Sequence, residues 1–164
     1  MNEIPIITVP MESLAEVIKL QLENGGRANL PVTGSSMMPL FYSRRDSVTL
    51  IPVDGQQKKG EIILYRRENG MYVLHRIIKA EQDFYICCGD NQYEKEIVKH
   101  EQLIGVVDQF MRAGRTYSRE HLSYRMYQTL LIGLFPLRRG YIALRRCLGR
   151  LRRKLQAATN RRKK

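Results

Sequence analysis

The chain has 164 residues, with 28 Lys and Arg against 16 Asp and Glu, a formal charge of +12. That length suits one domain with an appendage; 43% apolar residues exclude general disorder, and no run reaches the roughly 20 apolar residues a membrane-crossing helix needs. Cys87, Cys88 and Cys147 are too few and wrongly spaced for a disulfide framework or a zinc site, which fits a reducing compartment and no bound metal or cofactor. The opening Met1-Asn2-Glu3-Ile4-Pro5 has neither the basic start nor the apolar run of a secretory signal.

In chain order, residues 11–24 read as a short helix. Leu14, Val17, Ile18 and Leu22 share one face, Pro10 precedes it and Gly25-Gly26 stop it. An extended segment, Asn29 to Thr33, then runs into a Gly34-Ser35-Ser36 break. Short β-rich runs follow near 47–51, 61–67, 71–79, 83–88 and 103–110. Asn69-Gly70 between two of them predicts a type I′ hairpin turn, and no helix pattern falls between 40 and 110. The body therefore reads as mainly β, a small barrel or folded sheet with one helix beside it.

The last third changes character. Residues 1–110 hold 12 basic and 15 acidic side chains, whereas 111–164 hold 16 basic ones and a single acid, Glu120. This asymmetry predicts a domain over 1–110 and a basic amphipathic helical extension over 111–164. Leu122, Met126, Leu130 and Leu134 stand at helical spacing over 119–135, and Pro136 breaks the run. A second helix is expected from Leu137 through Tyr141, Leu144, Leu148, Leu151 and Leu155, with arginines on its other faces.

Gly34-Ser35-Ser36-Met37-Met38-Pro39 is the most informative stretch, because a serine beyond a glycine turn is where an exposed nucleophile can sit. Met37 and Met38 are expected to line apolar surface near the cleft. This stretch resembles the serine box of type I signal peptidases. Arg45-Asp46-Ser47-Val48-Thr49-Leu50, Gly60-Glu61-Ile62-Ile63-Leu64-Tyr65, Val73-Leu74-His75-Arg76-Ile77-Ile78, Gly89-Asp90-Asn91 and Ile104-Gly105-Val106-Val107 resemble the family's later boxes, in order, over about residues 30–108. The likeness is to the Ser-His subtype of endoplasmic-reticulum-type enzymes, since His75 stands where most bacterial members have lysine.

The resemblance implies a small β-fold catalytic core shared with LexA-like repressors, Ser36 as nucleophile and His75 as general base. Neutral imidazole, with an ordinary pKa near 6.5, suits that role near pH 7. A carboxylate is expected to orient the imidazole, and Asp90 and Glu96 are both candidates, with Glu94 near the second. Oxyanion stabilisation falls to the Ser36 backbone N–H, with Ser35 and Thr33 as available hydroxyls and Gly34 allowing close approach of substrate. His100 and His121 lie in no matching motif and read as surface residues.

The expected activity is serine endopeptidase cleavage of a peptide or precursor protein. A LexA-like self-cleaving regulator and a catalytically silent binding module are the alternatives. Signal peptidases usually carry a membrane-spanning segment before the serine, whereas residues 1–30 here hold only the short amphipathic helix. The basic segment 119–155 is expected to supply a different membrane contact: arginines for anionic headgroups and a leucine seam for the interface. A peripheral position on the cytoplasmic face of the inner membrane is the corresponding expectation, with attachment through the C-terminal helices as the alternative. The same composition suits a partner helix, or salt-sensitive nucleic-acid binding as a weaker alternative.

Overall fold

The computed structural model describes residues 11–137 and residue 140. The fold is mainly β: a curled antiparallel sheet with one helix before it and one after it.

Helix α1 (Met11–Glu23) ends where Gly25 and Gly26 donate back to the Leu22 and Gln21 carbonyls, the paired hydrogen bonds of a Schellman stop. It buries Ala15, Ile18 and Leu22 and packs Leu14 beside them; Val17, expected on that face, is 61% exposed. Strands β1 (Ala28–Pro31), β2 (Ser47–Ile51), β3 (Ile62–Arg66), β4 (Tyr72–Ala80), β5 (Phe84–Cys88), β6 (Glu96–Lys99), β7 (Leu103–Arg112) and β8 (Arg115–Ser118) follow, then helix α2 (Leu122–Gly133). The sheet order is β1-β2-β7-β3-β4-β5-β6, and β8 pairs with β7 beyond the end of β3. A 3-10 turn at His100–Gln102, not foreseen, leads into β7.

Two apolar clusters lie on opposite faces of β3. Ile62 and Leu64 join α1, β1, β2 and β7, while Ile63 and Tyr65 join Ile77, Tyr85, Cys87, Val98 and Val106 inside the curl of the sheet. A strand covered on both sides needs an unbroken apolar run, which is what Ile62-Ile63-Leu64-Tyr65 provides.

Two expectations are corrected. The Asn69-Gly70 turn is not type I′: only Gly70 takes positive φ (85°), Gly70 N–H donates to the Arg67 carbonyl, and Arg67 N–H donates to Met71. This is the three-residue loop built on a type I turn with a left-handed glycine. The two-residue hairpin with both φ positive occurs instead at Ala113 (49°) and Gly114 (78°), between Arg112 and Arg115. An alanine is unusual there; buried Asp46 accepts a hydrogen bond from its N–H at 3.1 Å and holds the turn.

That hairpin also moves the domain border. A boundary at 110/111 would cut through β7, whose pairing with β2 and β8 runs to Met111 and Arg112 respectively. Tyr124 of α2 is buried in the first cluster, so the body continues into the first C-terminal helix. The helix expected after Pro136 lies, beyond Leu137 and Gly140, outside the described residues.

Candidate active site

Ser36 lies in the loop between β1 and β2. Gly34 turns the chain with φ of 79°, and Met37, Leu40 and Phe41 are buried and anchor the loop in the core. Met37 is thus a core residue, while Met38 is half-buried. The anchored loop leaves Ser36 half-buried and Thr33, Gly34 and Ser35 exposed. Asn91 fastens this loop to the turn after β5. Its N–H donates to the Ser36 carbonyl at 2.7 Å and its side-chain amide to the Ser35 carbonyl at 3.2 Å.

His75 stands in the middle of β4, opposite Ile63 of β3, and is 1% exposed. A Cβ on Gly89 would lie 2.7 Å from the Ser36 carbonyl oxygen and 3.1 Å from His75 Nε2, so both groups crowd the same glycine. Absence of a side chain at that position leaves room for both the Ser36 carbonyl and the imidazole beside it.

The other imidazole nitrogen faces a polar group assembled from three elements. His75 Nδ1 is 3.1 Å from the Tyr65 hydroxyl and 3.5 Å from Glu96 Oε1. The Tyr65 hydroxyl donates to Glu96 Oε2 at 2.9 Å. With its proton committed to the carboxylate, the phenol oxygen accepts from Nδ1–H, which leaves Nε2 unprotonated on the Gly89 side. Arg67, just beyond β3, donates to both Glu96 oxygens, at 2.7 and 2.5 Å.

Burial pushes the Glu96 carboxyl up, but hydrogen bonds from Arg67 and Tyr65, with the charges of His75 and Arg67, outweigh it and hold the group below its ordinary value. Burial drives His75 down to about 4; the Glu96 charge opposes this and Arg67 adds to it. The imidazole is therefore neutral, with a carboxylate behind it ready to stabilise a positive charge. The neighbouring Cys87 thiol is fully buried, and burial with the Glu96 charge pushes it up to about 12, which makes it a poor nucleophile.

Asp90 does something else. Successive strand residues point to opposite faces, so Arg76 leaves β4 on the side away from His75. Arg76 donates through Nε and Nη2 to the two Asp90 oxygens at 2.9 and 2.8 Å, both side chains being fully buried. Its Nη1 donates to the Gly60 carbonyl at 2.7 Å and to the Tyr124 hydroxyl at 2.9 Å, and Tyr127 donates to Asp90 at 3.3 Å. Of the two carboxylates considered for orienting His75, Glu96 is the one at its Nδ1, and Asp90 is engaged by Arg76. Glu94, His100 and His121 are exposed; His100 rests against the Tyr85 ring, and His121 precedes α2 with its Nδ1 2.8 Å from the Ser123 hydroxyl.

Tyr65 and Arg67 were not singled out from the sequence. Pairing of β3 with β4 sets Tyr65 opposite Val73, which makes His75 its diagonal neighbour on the same face, a relation available once the hairpin register is known. Among the described residues no group of three or more His, Cys, Asp or Glu side chains is placed to hold a metal ion. Compared with known protein families, curated proteins and solved structures, the chain has no match.

Proposed function

We propose that this chain is a serine endopeptidase that cleaves a peptide or precursor protein in the manner of signal peptidases. The observation that carries this reading is the placement of the His75 ring, with Nε2 toward Gly89 and the serine loop and Nδ1 toward Tyr65 and Glu96. Neutral Nε2 takes the Ser36 hydroxyl proton as the oxygen attacks the scissile carbonyl. The imidazolium that forms is stabilised by Glu96 directly and through Tyr65. His75 then returns the proton to the leaving amine, and a water deprotonated by the same nitrogen hydrolyses the ester. The Ser36 N–H is the oxyanion donor the resemblance implies, a group of a kind worth about 2.7–4 kcal/mol in the transition state. Signal-peptidase specificity would place small side chains before the cleaved bond.

Labelling with a fluorophosphonate probe tests this reading. Wild-type protein is expected to be labelled at Ser36, Ser36→Ala not at all, and His75→Gln on the order of 10²–10⁴-fold more slowly. Labelling that persists in Ser36→Ala, that ignores His75, or that fails in folded wild-type protein would overturn the assignment and favour the silent binding module.

A further inference from the structure

Helix α2 has two faces of opposite kind. Its inner face is polar and aromatic. Tyr124 packs edge-on against Phe110 and accepts a hydrogen bond from Arg76, Tyr127 donates to Asp90, and Gln128 lies over Gly60. Its outer face carries Leu122, Met126 and Leu130, continued by Leu134 and Leu137, with exposures of 72%, 65%, 62%, 48% and 69%. The helix cannot roll to bury this stripe without giving up the contacts to a buried ion pair. A stripe of five large apolar residues left in water marks an interaction surface.

We propose that this outer face seats on an anionic lipid surface, its leucines and methionine entering the interface while the following basic segment meets the phosphates. Charge complementarity selects this occupant. Residues 138–164 carry 12 Lys and Arg and no acid, and no acidic residue follows Glu120 anywhere in the chain. A second copy seated on the stripe would bring two such segments together, and like charges oppose that. Nucleic acid would satisfy the arginines but offers no apolar phase for the stripe. An anionic bilayer supplies both, phosphates for the basic residues and an apolar phase for the leucines and methionine. No described helix is long and apolar enough to cross a membrane, so this is contact along the helix and not a span by it. The proposal stands apart from the peptidase reading, because it uses no property of Ser36 or His75.

Co-sedimentation of the full chain with vesicles tests it, comparing phosphatidylcholine alone with phosphatidylcholine mixed with phosphatidylglycerol. Wild type is expected to pellet with the mixed vesicles and not with phosphatidylcholine alone. The double variant Leu122→Ser, Leu130→Ser changes two exposed side chains, so it is expected to keep the wild-type unfolding temperature while binding at least about tenfold more weakly. The chain has no tryptophan, so Met126→Trp supplies a single reporter whose emission is expected to shift to the blue on the mixed vesicles only. Equal pelleting with both vesicle types, full binding by the double variant, or an unshifted emission would each overturn the proposal. So would a dimer of the wild type that the double variant dissolves in sedimentation velocity, or duplex DNA binding that it abolishes.

Discussion

Two arginine–carboxylate pairs lie on opposite sides of β4, and they do different work. Arg76–Asp90 is fully buried, roofed by Tyr124 and Tyr127 of α2, and ties the helix to the sheet. Arg67–Glu96 is roughly a quarter to a third exposed and shares its carboxylate with Tyr65 and His75. Both are bidentate; two tyrosine hydroxyls meet the buried pair and one meets the other. The lesson concerns neighbours in sequence: Arg76 adjoins His75 and Asp90 adjoins Gly89, yet strand alternation turns the Arg76–Asp90 pair away from the imidazole. The carboxylate that reaches His75 comes instead from 21 positions along the chain, as the numbering of the two residues gives.

The contrast is broken most severely at the buried pair. Asp90→Asn leaves Arg76 as an uncompensated charge in the core and is expected to lower stability by about 3–5 kcal/mol in urea unfolding at neutral pH. The folded fraction should still react with the serine probe at a rate within about tenfold of wild type. Glu96→Gln is expected to behave in the opposite way: a stability change of about 1 kcal/mol, since the pair is partly solvated, and a fall in labelling rate on the order of 10²–10³-fold. Should Asp90→Asn slow labelling of folded protein more than Glu96→Gln does, the assignment of roles is reversed.

The pH dependence of stability sharpens the same comparison. The unfolded chain binds a proton at His75 near pH 6.5, whereas burial keeps the folded imidazole neutral down to about 4. The unfolded state therefore binds more protons between those values, and stability falls as pH drops from about 6.5 to about 4, levelling off below. The expected loss is on the order of 1–3 kcal/mol. Urea midpoints for His75→Gln should lack this limb. Asp46, which accepts hydrogen bonds from Arg45, Tyr42 and Ala113, contributes separately. Burial opposes these bonds without outweighing them, so its carboxyl is held down at about 2 and its contribution is lost only as pH falls from about 3.8 toward 2.

The smallest expected effects come from removing one tyrosine hydroxyl at each pair. Tyr65→Phe and Tyr124→Phe each remove one buried hydroxyl and should cost about 1 kcal/mol of stability. Only Tyr65→Phe is expected to slow labelling, by about tenfold, because only that hydroxyl touches His75. Equal labelling rates in the two variants would show that the phenol does not position the imidazole.

Much of the frame was legible in the residues. The five longer β-rich runs correspond to β2, β3, β4, β5 and β7, because alternating or continuous apolar residues record how a strand is covered. β1 was legible only as an extended segment. β6 was missed because its four residues are flanked by charges, and its Ile97 faces outward, 70% exposed. β8 was missed because an Arg-rich hairpin turning on Ala113-Gly114 has no strong turn signal; Asp46, 67 positions away, holds it. In α2 the leucine spacing located the helix but not its packing, since the buried face is built from Tyr124, Tyr127 and Gln128, which spacing of apolar residues does not mark.

By itself, then, the sequence determined where five of the strands and the helices α1 and α2 lie, where the chain must turn at Gly34 and Gly70, and which serine and histidine stand in a loop and a strand centre. These are local properties, set by backbone freedom and by the period of apolar residues. Tertiary structure alone decided that Glu96 rather than Asp90 meets His75, that Tyr65 bridges them, and that Leu122 and Leu130 of α2 face outward. Each depends on how the sheet curls and which strands register, and contacts between residues 21 to 48 positions apart leave no periodic trace in the chain that makes them.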